Sequence, residues 1–402
     1  MDWGGLLYSL IAEEILLHLL LQEREVEHVR CLGDVARGTV VVEYLDVVVE
    51  GAVHILLLRG GTDEEGSLAL IHTEGGAYAL GDLGLILAAK GLGRNLDLEY
   101  SLGEGVIITP RNYPFSFLHT GKITSHYAIM GIGIERDGYP LYYDAINERG
   151  LWMAGLNFPH YAAYNRGRCN TLNLGSFELI PYILSKCAST KDAEAILKDA
   201  NLTSDAFSPS MPPTPLHWIV CDSERCIVVE PVKDGLKVQE NTIGVLTNSP
   251  PFDYQMQNLT SYLSLTPYPP ASRFSENVRL EPCSRGMGGI GLPGDVSSTS
   301  RFVRAAFNLS NSCSGESEYE SIGQFFHVLA SVAQISGVVR LDGGKLERTQ
   351  YTSCTNAQKL IYYYTTYENA MPYAVDMKRE ALDSCELVQY PLVHDMRIEI
   401  QN

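Results

Sequence analysis

The first 90 residues contain no asparagine, no proline and no phenylalanine, and their only lysine is Lys90. The remaining 312 residues hold 17 Asn, 19 Pro and 11 Phe. At that density the first 90 would carry about 13 residues of these three types, so the chain consists of two regions of different character. Without Asn and Pro, the first region lacks residues that normally punctuate turns and has only Gly and a few Asp for that purpose. It is rich in β-branched residues, as in TVVVEYLDVVVEGAVHILLLRGG (39–61), which suits strands. No chemical motif is visible in it. It carries 15 acids against 5 bases, a net of −10 that leaves −8 of the total −18 for the rest. Two origins fit such a segment. One is a genuine N-terminal extension; the other is a foreign piece, from a wrong start, a frame error or a joined gene fragment. The compositional skew favours the second.

Other absences narrow the function. No stretch reaches about 18 uninterrupted apolar residues, so no membrane-spanning helix is expected. The leucine-rich run 5–21 is broken by Glu13, Glu14 and His18 and no basic residue precedes it, which argues for an amphipathic helix and against a secretory signal. A cytoplasmic location is expected. The nine cysteines form no CxxC pair, and the closest two are Cys221 and Cys226. They read mostly as small buried hydrophobes of a reducing compartment, and no zinc set is expected. Basic residues are outnumbered 30 to 48, so phosphate backbones and anionic membrane surfaces would be repelled.

From residue 91 the pattern is that of an α+β protein. Strand-like runs are Leu216–Cys221, 226–230, 244–248 and 360–367. Helical spacing marks 190–200, opened by Ser189 or Thr190 as a cap, and also 300–309 and 320–335. Strands fall in hairpin groups and helices in separate runs, which suggests layers rather than alternating βαβ units.

Five short segments set polar residues beside glycines, prolines or strand ends. They are GRNLD (93–97), AGLNFP (154–159), LTNSP (246–250), LPGD followed by SRF (292–295, 300–302), and YTSC (351–354). Each alone reads as a turn. In this order and spacing, together with GEGVIITPRNYPF (103–115), GYPLYYDAINERGL (138–151), PLHWIV (215–220) and YYYTTYEN (362–369), they resemble the choloylglycine hydrolase family. That family includes conjugated bile salt hydrolases and penicillin V acylases. The resemblance covers about three-quarters of the chain, from Gly93 onward.

The resemblance implies a four-layer αββα fold of the N-terminal-nucleophile hydrolases, with two stacked antiparallel sheets between helices. It implies hydrolysis of the amide bond of a conjugated bile salt, releasing glycine or taurine, with penicillin V or another N-acyl amide as the alternative. It calls for no metal or cofactor, and it implies a homo-oligomer, often a tetramer. A cysteine at the mature N-terminus is the nucleophile and its own α-amino group is the base. That amine titrates near neutrality, and a thiolate is a strong nucleophile.

Five residues map onto the supporting roles. Arg94 would favour the thiolate, and Asp97 would hold the α-amino group. Asn248 would aim its side-chain amide at the developing oxyanion, and Asn157 would add a backbone donor; such donors are commonly worth about 3 kcal/mol each. Arg301 would complete the cluster. The plainer alternatives are a structural Arg, a turn-capping Asp, strand-end Asn residues, and an Arg packed with Asp295 at a helix start. His217 reads as a strand residue packed with Trp218. Cys354, inside the chain, has no α-amino base and reads as buried structure.

The nucleophile itself is not found. Relatives of this kind place it some 14 to 18 residues before the Arg of GRN. Here that window, 76–90, holds no Cys, Ser or Thr. Cys31 lies 63 residues before Arg94, in an unrelated setting. A chain of this sequence is expected to lack hydrolase activity, which leaves a ligand-binding relative as a further alternative. Residues near 78–92 would have to imitate the missing first strand.

Overall fold

In the computed structural model the described residues are the backbone strands within 26–74, all of 91–315, and all of 317–402. The chain divides into two compact units, Met1–Ala77 and Tyr78–Asn402. In the first, four strands, Val26–Arg37, Val40–Val49, Val53–Arg59 and Leu68–Glu74, pair antiparallel in sequence order. The window 76–90 and the imitating strand proposed for it lie outside the described residues, except that Leu92 bridges to Thr355.

The second unit has four layers, α, β, β and α. Its larger sheet has eight antiparallel strands in the order Gly235–Glu240, Cys226–Val232, Leu216–Cys221, Trp152–Asn157, Tyr139–Asn147, Ile129–Arg136, Gly105–Thr109, Val388–Pro391. Both faces of its inner strands are buried, so these strands alternate between two cores instead of between core and water. Val106 and Ile108 enter one core, Ile107 the other; Trp152 and Ala154 enter the first, Met153 the second. Helices Leu179–Lys186 and Thr190–Leu197 cover the second core with Leu179, Ile183, Leu184, Ala193 and Leu197.

The first core lies against the smaller sheet. Its long strand Leu346–Asn356 is bonded on one side by Ile361–Thr366 and on the other by Asn95–Leu98 and Val339–Arg340; Tyr373–Asp376 extends the sheet. Helices Ser298–Asn311 and Glu318–Ala330 add Phe302, Ala305, Leu309, Phe325 and Leu329 to this core. Glu318–Ala330 opens with a capping box between Ser317 and Glu320, so it starts before the expected residue 320 and ends before 335.

Two expectations need correction. Residues 244–248 form no strand. Asn241 turns the chain locally, accepting from the Gly244 N–H and donating to the Val245 carbonyl, and Gly244 has φ +66°; this side-chain turn replaces a ladder partner. Cysteine burial is also less general than expected. Of the eight cysteines in the second unit, Cys187, Cys221, Cys226 and Cys354 are buried and four are exposed. Cys221 and Cys226 face each other on paired strands and are joined as a disulfide.

Candidate active site

The strand carrying GRNLD is pressed against the smaller sheet. A Cβ on Gly93 would come within 2.0 Å of the Ser353 carbonyl oxygen, so only glycine lets the chain approach this closely. That contact sends the next side chain, Arg94, into the interior. The larger sheet opens a place for it there. Tyr139–Asn147 carries a bulge between Tyr142 and Asp144, and its pairing with Trp152–Asn157 reaches only Ala154. The Arg94 Nη1 donates to the Tyr143 carbonyl at 3.1 Å and the Gly155 carbonyl at 2.6 Å, bridging the two strands where they separate.

Beneath Arg94 lies the buried carboxylate of Asp144. It accepts from the hydroxyls of Tyr351 (2.7 Å), Ser353 (3.1 Å) and Tyr362. Burial pushes its pKa up, against the pull of the Arg94 charge and these three hydroxyls. The sequence reading missed Asp144. The available signal was an acid inside the otherwise apolar strand PLYYDAI.

Asp97 lies three residues beyond Arg94 on the strand Asn95–Leu98. The Thr349 hydroxyl donates to its Oδ1 at 2.6 Å, and the Arg301 guanidinium is 3.6 Å from its Oδ2. Arg301 sits in the first turn of Ser298–Asn311. That turn is fixed by Asp295, which accepts from the Ser297 N–H at 2.9 Å and the Ser300 hydroxyl at 2.6 Å; these bonds hold its pKa down to about 2. Arg301 Nη2 donates to Asn248 Oδ1 at 2.6 Å, and Asn248 Nδ2 donates to the Asn157 carbonyl at 3.0 Å. Asp97, Arg301, Asn248 and Asn157 therefore form one continuous chain of polar contacts. The expected packing of Arg301 on Asp295 is indirect: the side chains share the helix start, and the Arg301 charge faces Asp97 and Asn248.

The backbone geometry at Asn157 follows from strand alternation. The Phe158 N–H donates to the Pro215 carbonyl at 2.8 Å, so the Asn157 N–H and C=O turn away from that partner strand, toward the separated edge. The carbonyl meets Asn248, and the N–H faces the same gap.

All five residues line one cavity of about 790 Å³. Asp97 shares its end of the cavity with Glu347, whose pKa is raised by burial and then by the neighbouring Asp97 charge. Much of the remaining wall is apolar, including Leu141, Ile180, Phe177, Phe207, Met211 and Pro213, with Ser176 and Thr214 set among them. A cavity of this size, largely apolar and with a cluster of charged and amide groups on one part of its lining, suits a large hydrophobic molecule carrying a polar bond to be recognised. Two sequence readings outside the cluster also have their places. Cys354 is buried and its thiol pKa is pushed well above the ordinary range. His217 is buried on the same strand as Trp218, with its ring stacked on Phe158, ring centroids 4.3 Å apart.

Among the described residues no helix is long and apolar enough to cross a membrane, and no group of His, Cys, Asp or Glu is arranged to hold a metal ion.

Comparison with known proteins finds matching sequences and structures. A family model described as linear amide C–N hydrolases, choloylglycine hydrolase family, matches residues 88–390. A bile salt hydrolase/transferase of Lactiplantibacillus plantarum is 49% identical over 300 residues, which is 75% of this chain and 93% of that protein. A bile salt hydrolase/transferase of Clostridium perfringens is 39% identical over 302 residues, 74% of this chain and 92% of that protein. The crystal structure of a cysteine-to-alanine mutant of the conjugated bile acid hydrolase from Clostridium perfringens superposes with a TM-score of 0.73 at 37% identity, covering 78% of this chain and 97% of that one. Penicillin V acylase from Agrobacterium tumefaciens shares the fold, with a TM-score of 0.59 at 20% identity over 75% of this chain and 88% of its own.

Proposed function

The chain belongs to the choloylglycine hydrolase family of linear amide C–N hydrolases, and on that premise we propose that its cavity is built to take a conjugated bile salt and hydrolyse its amide bond. The observation that carries this reading is the joining of Asp97, Arg301, Asn248 and Asn157 in one polar chain on the lining of a largely apolar cavity of about 790 Å³. The steroid lies along the apolar wall, and the amide reaches the polar end.

In this reading Arg94 supplies the positive charge that favours a thiolate beside it. Asp97 holds the α-amino base. The Asn248 amide, with its oxygen fixed on Arg301 and one N–H on the Asn157 carbonyl, turns its other N–H toward the carbonyl that becomes an oxyanion, and the Asn157 N–H adds a second donor. Glycine or taurine leaves with the proton that the amine returns.

The nucleophile is the missing part. Residues 76–90 hold no Cys, Ser or Thr, and Cys354 is buried without an α-amino group. We therefore expect the 402-residue chain to bind conjugated bile salts without cleaving them. Incubation of the purified chain with glycocholate, with glycine release and calorimetric binding measured side by side and penicillin V as the competing ligand, tests both halves. Binding of glycocholate with no glycine above background is expected. Glycine release would overturn the loss of the nucleophile, and failure to bind would overturn the assignment of the cavity.

A further inference from the structure

The segment 247–252, which carries Asn248, has no strand ladder to hold it, yet its two ends meet one buried pair. His217, on Leu216–Cys221, and Glu230, on the neighbouring strand Cys226–Val232, are both fully buried. The His217 Nε2 lies 2.8 Å from the Thr247 carbonyl oxygen. A carbonyl can only accept, so Nε2 carries the proton and donates it. The Nδ1 of the same ring is 3.2 Å from Glu230 Oε1. That oxygen also accepts from the N–H of Phe252 at 2.9 Å, the first residue of the helix Phe252–Leu259. One end of the segment is thus tied to the histidine and the other to the glutamate. Between them the Asn248 N–H is held by the Ser298 hydroxyl at 3.0 Å, and the Asn248 side chain faces Asn157 and Arg301.

A fully buried ionisable pair is weak as a source of stability, since its desolvation offsets its attraction; fixing a particular geometry is the better-attested use of such groups. The ring plane of His217 is itself fixed, 7° from that of Phe158, which precedes the Pro159 carbonyl that accepts from Ser249. The segment is therefore clamped at Thr247, Ser249 and Phe252 around the asparagine. We propose that His217 and Glu230 are positioning residues that set the aim of the Asn248 amide on the substrate carbonyl. The proposal rests on the reading of Asn248 given above.

The test uses the 402-residue chain and two substitutions. His217→Phe keeps a flat ring on Phe158 and removes the donor. His217→Gln restores a side-chain N–H for the Thr247 carbonyl. With ¹⁵N-asparagine labelling, the side-chain amide resonances of Asn248, assigned through Asn248→Ala, should shift and broaden in His217→Phe and return toward the parent in His217→Gln. Calorimetry with glycocholate and cholate separates aim from folding. His217→Phe should reduce the glycocholate-over-cholate affinity ratio several-fold while cholate affinity holds within about twofold, and His217→Gln should recover the ratio. Unchanged Asn248 resonances in a folded His217→Phe chain would overturn the proposal, as would an equal loss of both ligands. If His217→Phe fails to fold, Glu230→Gln carries the same resonance test with the same expected direction. A parent chain that does not prefer glycocholate to cholate would count against the cavity assignment, while the resonance test would still decide the role of His217.

Discussion

The polar end of the cavity and its apolar wall are held in different ways. At the polar end Arg94, Asp97, Asn248 and Arg301 are fixed by named partners, several of them backbone carbonyls or buried hydroxyls. Along the wall, the Phe177 and Phe207 side chains meet ring to ring at 5.3 Å and each also meets the ring of Tyr139, and Met211 sits in the loop before Leu216–Cys221. Hydrogen bonds are directional, so the polar end holds one arrangement and is costly to alter. Ring and methionine contacts are not, so the wall can adjust to the ligand it covers. The two regions therefore divide the work between geometry at the amide and area along the steroid.

The sharpest way to break this contrast is to remove the support under Arg94. Asp144→Leu leaves the hydroxyls of Tyr351, Tyr362 and Ser353 buried without their acceptor and Arg94 without the carboxylate beneath it. Removing one partner of such a buried charged network typically costs about 3–5 kcal/mol. Urea unfolding followed by circular dichroism should show the midpoint fall accordingly, with Asp144→Asn between the two. An unchanged midpoint would mean that the polar end does not depend on its buried partners.

The same contrast explains what could be read from the sequence. GRNLD, AGLNFP, LTNSP and SRF were legible together, through their shared resemblance to one family, and all five residues drawn from them line one cavity. The short continuous apolar run LHWIVC gave the strand directly. The order of eight strands was not legible, since pairing joins residues as distant as Val388 and Ile108 and nothing local encodes that choice. Asp144 was passed over although it is an acid in an apolar run, and its partners lie more than 200 residues away. His217 gave no sign of its contact with Thr247, and 244–248 looked like a strand because the local bonding of Asn241 cannot be seen in an apolar pattern. The apolar wall was the least legible part. Phe207 and Met211 are ordinary apolar loop residues whose place on a cavity is decided only by folding.

The wall and the polar end should also separate in binding. Met211→Glu places a carboxylate against the apolar ligand, and its desolvation should weaken glycocholate and cholate alike by about tenfold, roughly 1.4 kcal/mol. Asn248→Ala should weaken glycocholate more than cholate, because the planar amide fixes where its one oxygen must lie, whereas the carboxylate of cholate has two equivalent oxygens and can turn to another donor. Isothermal titration of both ligands with both variants gives four affinities. A selective loss of glycocholate in Met211→Glu would place the amide on the wall and reverse the assignment of the two regions.

The smallest expected effect tests how the helix carrying Arg301 is started. Asp295 is exposed, and its bonds to Ser297 and Ser300 lower its pKa from 3.8 to about 2. A carboxylate depressed in the folded state stabilises the fold above its unfolded pKa, and that contribution is lost as the pH falls through the folded value. Stability from Asp295 should therefore be complete above about pH 4 to 5 and fade toward pH 2. Solvent screening keeps the contribution below about 1 kcal/mol. Asp295→Asn should flatten the acid limb of the stability curve by that amount, because a neutral amide can replace one acceptor but not the charge. It should also loosen Arg301 slightly, seen as a modest loss of glycocholate with cholate unchanged. Equal stability of the parent and Asp295→Asn between pH 2 and pH 5, measured by thermal unfolding, would mean that the serines cap the helix without the carboxylate. The placement of Arg301 would then rest on its own contacts with Val296, Asn248 and Asp97.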